Sequence, residues 1–306
     1  MITILSALAP VFLLIFLGYV LKIRGWVPDA FWQPAEKLTF YLFFPALLLK
    51  STATAELGSA QVLPLMATLT AGILGVAALV VVLRSRFAID GPTFSSVFQG
   101  SFRPNTYVAV AAALALFGDA GLSLIAVGLA ASVPLVNFLG VLGLLHYARP
   151  PGDGPRWKRI TLPVISNPLI LACAIGAGLN VGGVGLPTVI EPLLEILGRA
   201  SLPVGLMAVG AGLNFAAVRP FARIVAVTAG CKLLVLPVFT FAAGRLLGLD
   251  AVSLSVCVMY ATVPGSAVSY IMARQMGGHG PLMAAIITTT TLLSMVAMPL
   301  ALMVVG

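Results

Sequence analysis

Gly100-Ser101-Phe102-Arg103-Pro104-Asn105-Thr106 and Ala261-Thr262-Val263-Pro264-Gly265-Ser266 interrupt two otherwise apolar runs, near residues 93–117 and 251–275. A proline inside a helix removes one backbone donor and clashes with the preceding turn. Within a bilayer most such prolines are kinks that neighbouring helices satisfy. These two occupy matching places in the two halves of the chain, and each is followed by small polar residues. Their position predicts two spans broken into half-helices near mid-membrane. Half-helix N-termini would then turn unpaired N–H groups and positive dipole ends toward the breaks, which suits a carboxylate.

The remainder of the chain fits a membrane protein. Of its 306 residues, 60% are hydrophobic and 8% charged, with a mean hydropathy of +1.11. A soluble domain carries about 25% charged residues. The deficit excludes a soluble enzyme and a disordered chain. Nor does the net charge of +8 signal nucleic-acid binding, because the basic residues are spread along the chain. Apolar runs between charged or Pro/Gly-rich segments predict ten spans, near 2–21, 34–53, 61–83, 93–117, 121–146, 161–180, 187–212, 221–246, 251–275 and 281–305. The first run lacks a basic leader, so it reads as a span rather than a cleaved signal. Cys173, Cys231 and Cys257 lie in apolar runs at no metal-like spacing and read as packing residues.

Twelve of the 17 Lys and Arg residues fall on one side of this arrangement: Lys22, Arg24, Lys37, Arg84, Arg86, Arg149, Arg156, Lys158, Arg159, Arg219, Arg223 and Arg274. The opposite side has only Lys50 and Arg245. The positive-inside rule then makes the 147–160 connection cytoplasmic and both termini non-cytoplasmic. That connection divides the chain into five spans (1–146) and five spans (161–306). Pro10, Pro34 and Pro45 meet Pro168, Pro192 and Pro203 at an offset of 158, and Pro104 meets Pro264 at 160. Thr70-Ala71-Gly72 likewise matches Thr228-Ala229-Gly230. A duplicated unit with an odd number of spans inserts its second copy upside down, an arrangement typical of secondary transporters.

Several segments carry a resemblance. Pro104-Asn105-Thr106 leads into a small-residue helix ending at Leu116-Phe117-Gly118. With it stand Phe40 through Leu48, Asn167-Pro168-Leu169-Ile170, Leu202-Pro203 through Leu213, and Pro264 through Tyr270 with Ala273-Arg274. In order and spacing, these segments resemble the auxin efflux carrier family and its bacterial relatives over essentially the whole chain. The resemblance implies an all-α membrane protein of ten helices in two inverted five-helix repeats, with helices 4 and 9 broken and crossing. It also implies an elevator-type permease of the bacterial inner membrane for organic anions such as malate and malonate, or auxin in the plant members. Carried over residue by residue, Asn105 and the crossover prolines Pro104 and Pro264 surround the substrate carboxylate. Tyr107 stands where many bacterial relatives have Gly, and Gly265-Ser266 offers no second amide.

The expected substrate-binding residues are Asn105, Thr106, Arg103, Ser266, Tyr270 and Lys232, with Pro104, Pro264 and Gly265 at the helix breaks. Arg103 and Lys232 are ionisable residues within spans that hold no carboxylate of their own, a costly arrangement that is usually functional. They are weighed as a cationic cavity against snorkelling or backbone-satisfied groups. Lys232 exchanging its proton as substrate arrives would couple anion and proton movement. Arg199 is expected to pair with Glu195 four residues earlier, and Lys50 to snorkel from a helix end.

No carboxylate pair lies mid-span, and no HExxH, GxSxG or Walker lysine occurs. The expectations are therefore no enzyme, cofactor or metal, and no ATP-driven pump. The partners expected are a small organic anion and the bilayer, without nucleic acid, and a homodimer is left open. Alternatives are a sodium-coupled symporter of the same architecture, then a channel or sensor.

Overall fold

A computed structural model of the chain describes residues 2–54, 61–148 and 166–305; most of the 147–160 connection lies outside them. Among the described residues the regular structure is helical. In chain order the helices are α1 (Ile2–Ile23), α2 (Asp29–Leu38), α3 (Phe44–Ala53), α4 (Val62–Val82), α5 (Arg84–Phe87), α6 (Gly91–Gly100) and α7 (Thr106–Gly143). After the undescribed connection come α8 (Pro168–Val181), α9 (Ile190–Ala211), α10 (Ala222–Gly230), α11 (Leu236–Leu246), α12 (Ala251–Thr262), α13 (Ala267–Gln275) and α14 (Gly280–Val305). One π turn, Thr39–Phe43, joins α2 to α3, and another, Cys231–Val235, joins α10 to α11. α7 is two helices in one, turning at Gly118 with φ 61°.

Six continuous helical stretches among the described residues are long and apolar enough to cross a membrane: Ile4–Ile23, Val62–Val82, Thr106–Ala148, Ile190–Ala211, Phe215–Leu246 and Gly280–Val305. The chain is thus an all-helical polytopic membrane protein. Fewer long stretches appear than the ten expected spans: the helix turning at Gly118 runs from the fourth into the fifth, the breaks at Pro104 and Pro264 interrupt the fourth and ninth, and residues 161–165 of the sixth lie outside the described residues.

The helices sort into two packed groups. In the first, α1 packs on α9, while α3 packs on α8 and α9. Glycine brings the backbones of this group close: a Cβ on Gly210 would stand 1.7 Å from the carbonyl oxygen of Ile15, and one on Gly18 2.0 Å from that of Met207. Small residues at crossings are the membrane's substitute for hydrophobic driving force. In the second group α4, α6, α7 and α10–α14 surround the two breaks.

The connections also sort by end. At one end Lys22 Nζ donates to the Ala211 carbonyl at 2.8 Å, and the Arg84 guanidinium lies over the rings of Phe94 and Tyr147. There too the His279 N–H donates to Ser96 Oγ, and its ring packs on Phe221. At the other end Lys50 pairs with Glu195, and the Asp250 N–H donates to Gln61 Oε1. The described Lys- and Arg-rich connections thus gather at one end.

Candidate functional site

The two proline-containing stretches meet. Pro104 and Gly265 face each other as an isolated antiparallel bridge, and the Asn105 N–H donates to the Pro264 carbonyl at 2.8 Å. Pro264 follows a residue in extended backbone, Val263 at φ −65° and ψ 154°, and Asn105 is itself extended at φ −80° and ψ 108°. A proline disfavours helical backbone at the residue before it, so the preceding helix stops there. Irregular backbone at membrane depth survives only when buried in protein. Ser101 through Asn105 and Val263 through Ser266 are all buried. Four half-helix ends converge here: the C-termini of α6 and α12 and the N-termini of α7 and α13.

Asn105 caps α7. Its Oδ1 accepts from the N–H groups of Tyr107 at 3.1 Å and Val108 at 3.2 Å. Its side-chain nitrogen Nδ2 is buried and has no hydrogen-bond partner among the described residues. An unpartnered buried amide donor costs its full desolvation, and an anion at the break would satisfy it. Thr106, the first residue of α7, is half-buried. Ser266 is buried at the start of α13 without capping it through its side chain. Gly265 directs its N–H to Thr290 Oγ1 at 3.0 Å, so α14 supplies a polar support to the break.

Arg103 is 4% exposed and turns into the second helix group. It donates to Asn137 Oδ1 on α7 and, at 2.9 Å, to Met272 Sδ on α13. Beside it both amide atoms of buried Gln99 are unpartnered. Gly140 leaves room for them: a Cβ there would come within 2.8 Å of Arg103 Nη1 and 3.2 Å of Gln99 Oε1. The hydrogen bonds of the guanidinium go to neutral groups rather than to a carboxylate. Lys232 is fully buried in the π turn before α11 and donates to the Ala261 carbonyl at 2.7 Å. Ala261 lies in the last turn of α12, where a cation meets the negative end of the helix dipole. The structure therefore sets both cations against the breaks and gives Lys232 a backbone acceptor as well. Tyr270 packs with Ala273, Met283 and Ile287 and carries Arg274 over its ring; it takes no part in the bonds at the crossing.

A cavity of about 1150 Å³ lies between the two helix groups, opening toward the end opposite the basic connections. Ala111, Leu47, Leu202 and Leu206 line it, with Lys50, Glu195, Arg199, Asp119 and Asp250 around it. None of the substrate-binding or helix-break residues expected from sequence lines it. Arg199 pairs with Glu195, as the spacing predicts. Lys50, expected to snorkel, bonds Glu195 at 3.0 Å and approaches Glu191 at 3.8 Å, tying α3 to α9. The sequence reading missed Gln99, Asn137 and Thr290, which are single polar residues in apolar helices. It also missed Asn105 as a cap, although an Asn before an apolar run is a helix-start signal.

Residues 158–302 match the model of a family described as membrane transport protein. The chain is also 24% identical, over 302 residues covering 97% of it and 96% of the relative, to a protein of Methanothermobacter thermautotrophicus described as an uncharacterized transporter. The relative's match runs through both halves, the buried crossing included. The second half of the chain is thus similar to a membrane transport family, in keeping with the resemblance to auxin-efflux-carrier-type permeases, and the chain is a transporter rather than an enzyme.

Proposed function

We propose that this transporter is a secondary active carrier of a small organic anion, a mono- or dicarboxylate or an auxin-like aromatic acid, working by alternating access around the crossing. The observation that carries the reading is the unpartnered Nδ2 of Asn105, buried where two broken helices meet. A carboxylate there accepts from that amide and lies near the positive N-terminal ends of α7 and α13. Arg103 and Lys232, whose hydrogen bonds go to neutral groups, make the surrounding interior favour an anion over a neutral solute.

The proposal includes ten spans in two inverted repeats, residues 1–146 and 161–306, in a bacterial inner membrane with both termini non-cytoplasmic. Backbone geometry supports the duplication. Residues with positive φ recur at offsets of 158 to 160 residues: Gly25 with Gly183, Ala88 with Gly248, and Gly118 with Gly277. Asp90 and Asp250, 160 residues apart, each cap a half-helix through the third following N–H, Thr93 and Ser253.

Uptake by proteoliposomes with imposed proton or sodium gradients, over a panel of carboxylates, tests the reading. Saturable carboxylate uptake that Asn105→Ala suppresses supports it. Uptake that ignores Asn105, or prefers neutral analogues, overturns it. A requirement for the sodium gradient would favour the symporter alternative.

A further inference from the structure

We propose that Tyr107 is the size-selecting residue of the transport path, its ring forming the partition between the cavity and the crossing. The proposal rests on the crossing being the substrate site.

Tyr107 is the second residue of α7 and is 9% exposed. Its ring meets Phe44 of α3 edge to face, with centroids 4.8 Å apart at 90°. On the other side it fills a notch in α9 that exists because residue 205 is glycine. A Cβ there would stand 3.0 Å and 3.1 Å from Tyr107 Cδ1 and Cγ, and 3.4 Å from Thr39 Cγ2. One aromatic ring thus spans from the second helix group to both α3 and α9 of the first.

The cavity ends at this layer. On α7 it is lined by Ala111, one turn beyond Tyr107; on α3 by Leu47, three residues beyond Phe44; on α9 by Leu202, Pro203 and Leu206, which flank Gly205 on both sides. Phe44, Tyr107 and Gly205 themselves do not line it. Two residues further from the cavity along the chain, at the cap of α7, is Asn105, whose Oδ1 accepts from the Tyr107 N–H. A solute passing from cavity to amide must therefore displace the ring or fit beside it. Phe44 follows directly on the π turn Thr39–Phe43, a helix irregularity found often at functional sites. Side-chain size at position 107 then sets which anions reach the site, and the hydroxyl is not required.

Access of thiol reagents tests this without knowledge of the substrate. In a background with Cys173, Cys231 and Cys257 replaced by Ala, Asn105→Cys is labelled from the cavity side with a small methanethiosulfonate and with a bulky biotin maleimide. With Tyr107 or Tyr107→Phe the bulky reagent should lag the small one, relative to their rates on a free thiol, by about tenfold or more. Tyr107→Leu should narrow the gap and Tyr107→Ala nearly close it. The graded series guards against a single misfolded variant. An equal bulky-reagent rate across Phe, Leu and Ala overturns the inference. Failure of the crossing as substrate site would register separately, as anion uptake indifferent to Asn105→Ala in the native cysteine background.

Discussion

The Asn105 N–H and the Pro264 carbonyl, 159 residues apart in sequence, are joined by a 2.8 Å hydrogen bond at the meeting of two broken helices. The Asn105 side chain has two separable duties: its oxygen caps α7, and its nitrogen has no partner among the described residues.

Asn105→Ser separates those duties. Serine is as good an N-cap as asparagine, so thermal stability in detergent should change little. The lost amide should weaken anion binding by about 1.5–3 kcal/mol, roughly ten- to hundredfold. Asn105→Ala should lose both, with the missing cap costing a further ~1 kcal/mol of stability. Equal affinity in Asn105→Ser and wild type, by calorimetry with a transported anion, would remove the amide from the site.

Lys232→Met should weaken anion binding by about tenfold and flatten its dependence on pH from mildly acidic to mildly alkaline conditions. The fully buried ammonium donates to Ala261 at the end of α12, so it bears on the crossing through a helix terminus. Unchanged affinity together with an unchanged pH profile would leave Lys232 only the task of capping that helix.

Close packing of α1 on α9 should be intolerant of a single methyl group. Gly210→Ala sets a carbon where the Ile15 carbonyl now lies, and overpacking of this kind costs about 1–3 kcal/mol. Gly178→Ala in α8, where an added Cβ meets nothing within 4 Å, should be neutral or stabilising by up to ~1 kcal/mol. Melting of the two variants in detergent should therefore shift in opposite directions, or at least differ by several degrees.

Orientation in the membrane is open to direct measurement. The twelve Lys and Arg residues on one side predict that Gly152→Cys, in the connection between the halves, reacts with impermeant thiol reagents only from the cytoplasm. Labelling from the external face alone would invert the assignment.

Sequence carried the breaks well, for a physical reason. Pro104 and Pro264 stand in runs that hydropathy alone would leave unbroken, and the polar residues beside them need a buried setting. Partners were a different matter. Arg103 reaches Asn137 and Met272, which are 34 and 169 residues away, and Lys232 finds a backbone carbonyl, which no residue pattern announces. The cavity was illegible because its walls come from helices in both halves and consist chiefly of ordinary apolar residues. The Lys50–Glu195 pair was missed for the same reason: its members lie 145 positions apart.

The crossing is held by main-chain atoms. The hydrogen bond from Asn105 to Pro264 uses an N–H that every residue but proline supplies and a carbonyl that every residue supplies. Replacing the asparagine by any residue but proline leaves in place the bond that braces the crossing. On the proposed reading, frame and recognition thus fall to the main chain and the side chain of the same residue, Asn105. If the crossing binds cargo as proposed, a descendant of this protein could exchange one cargo for another by side-chain drift while the same brace is kept.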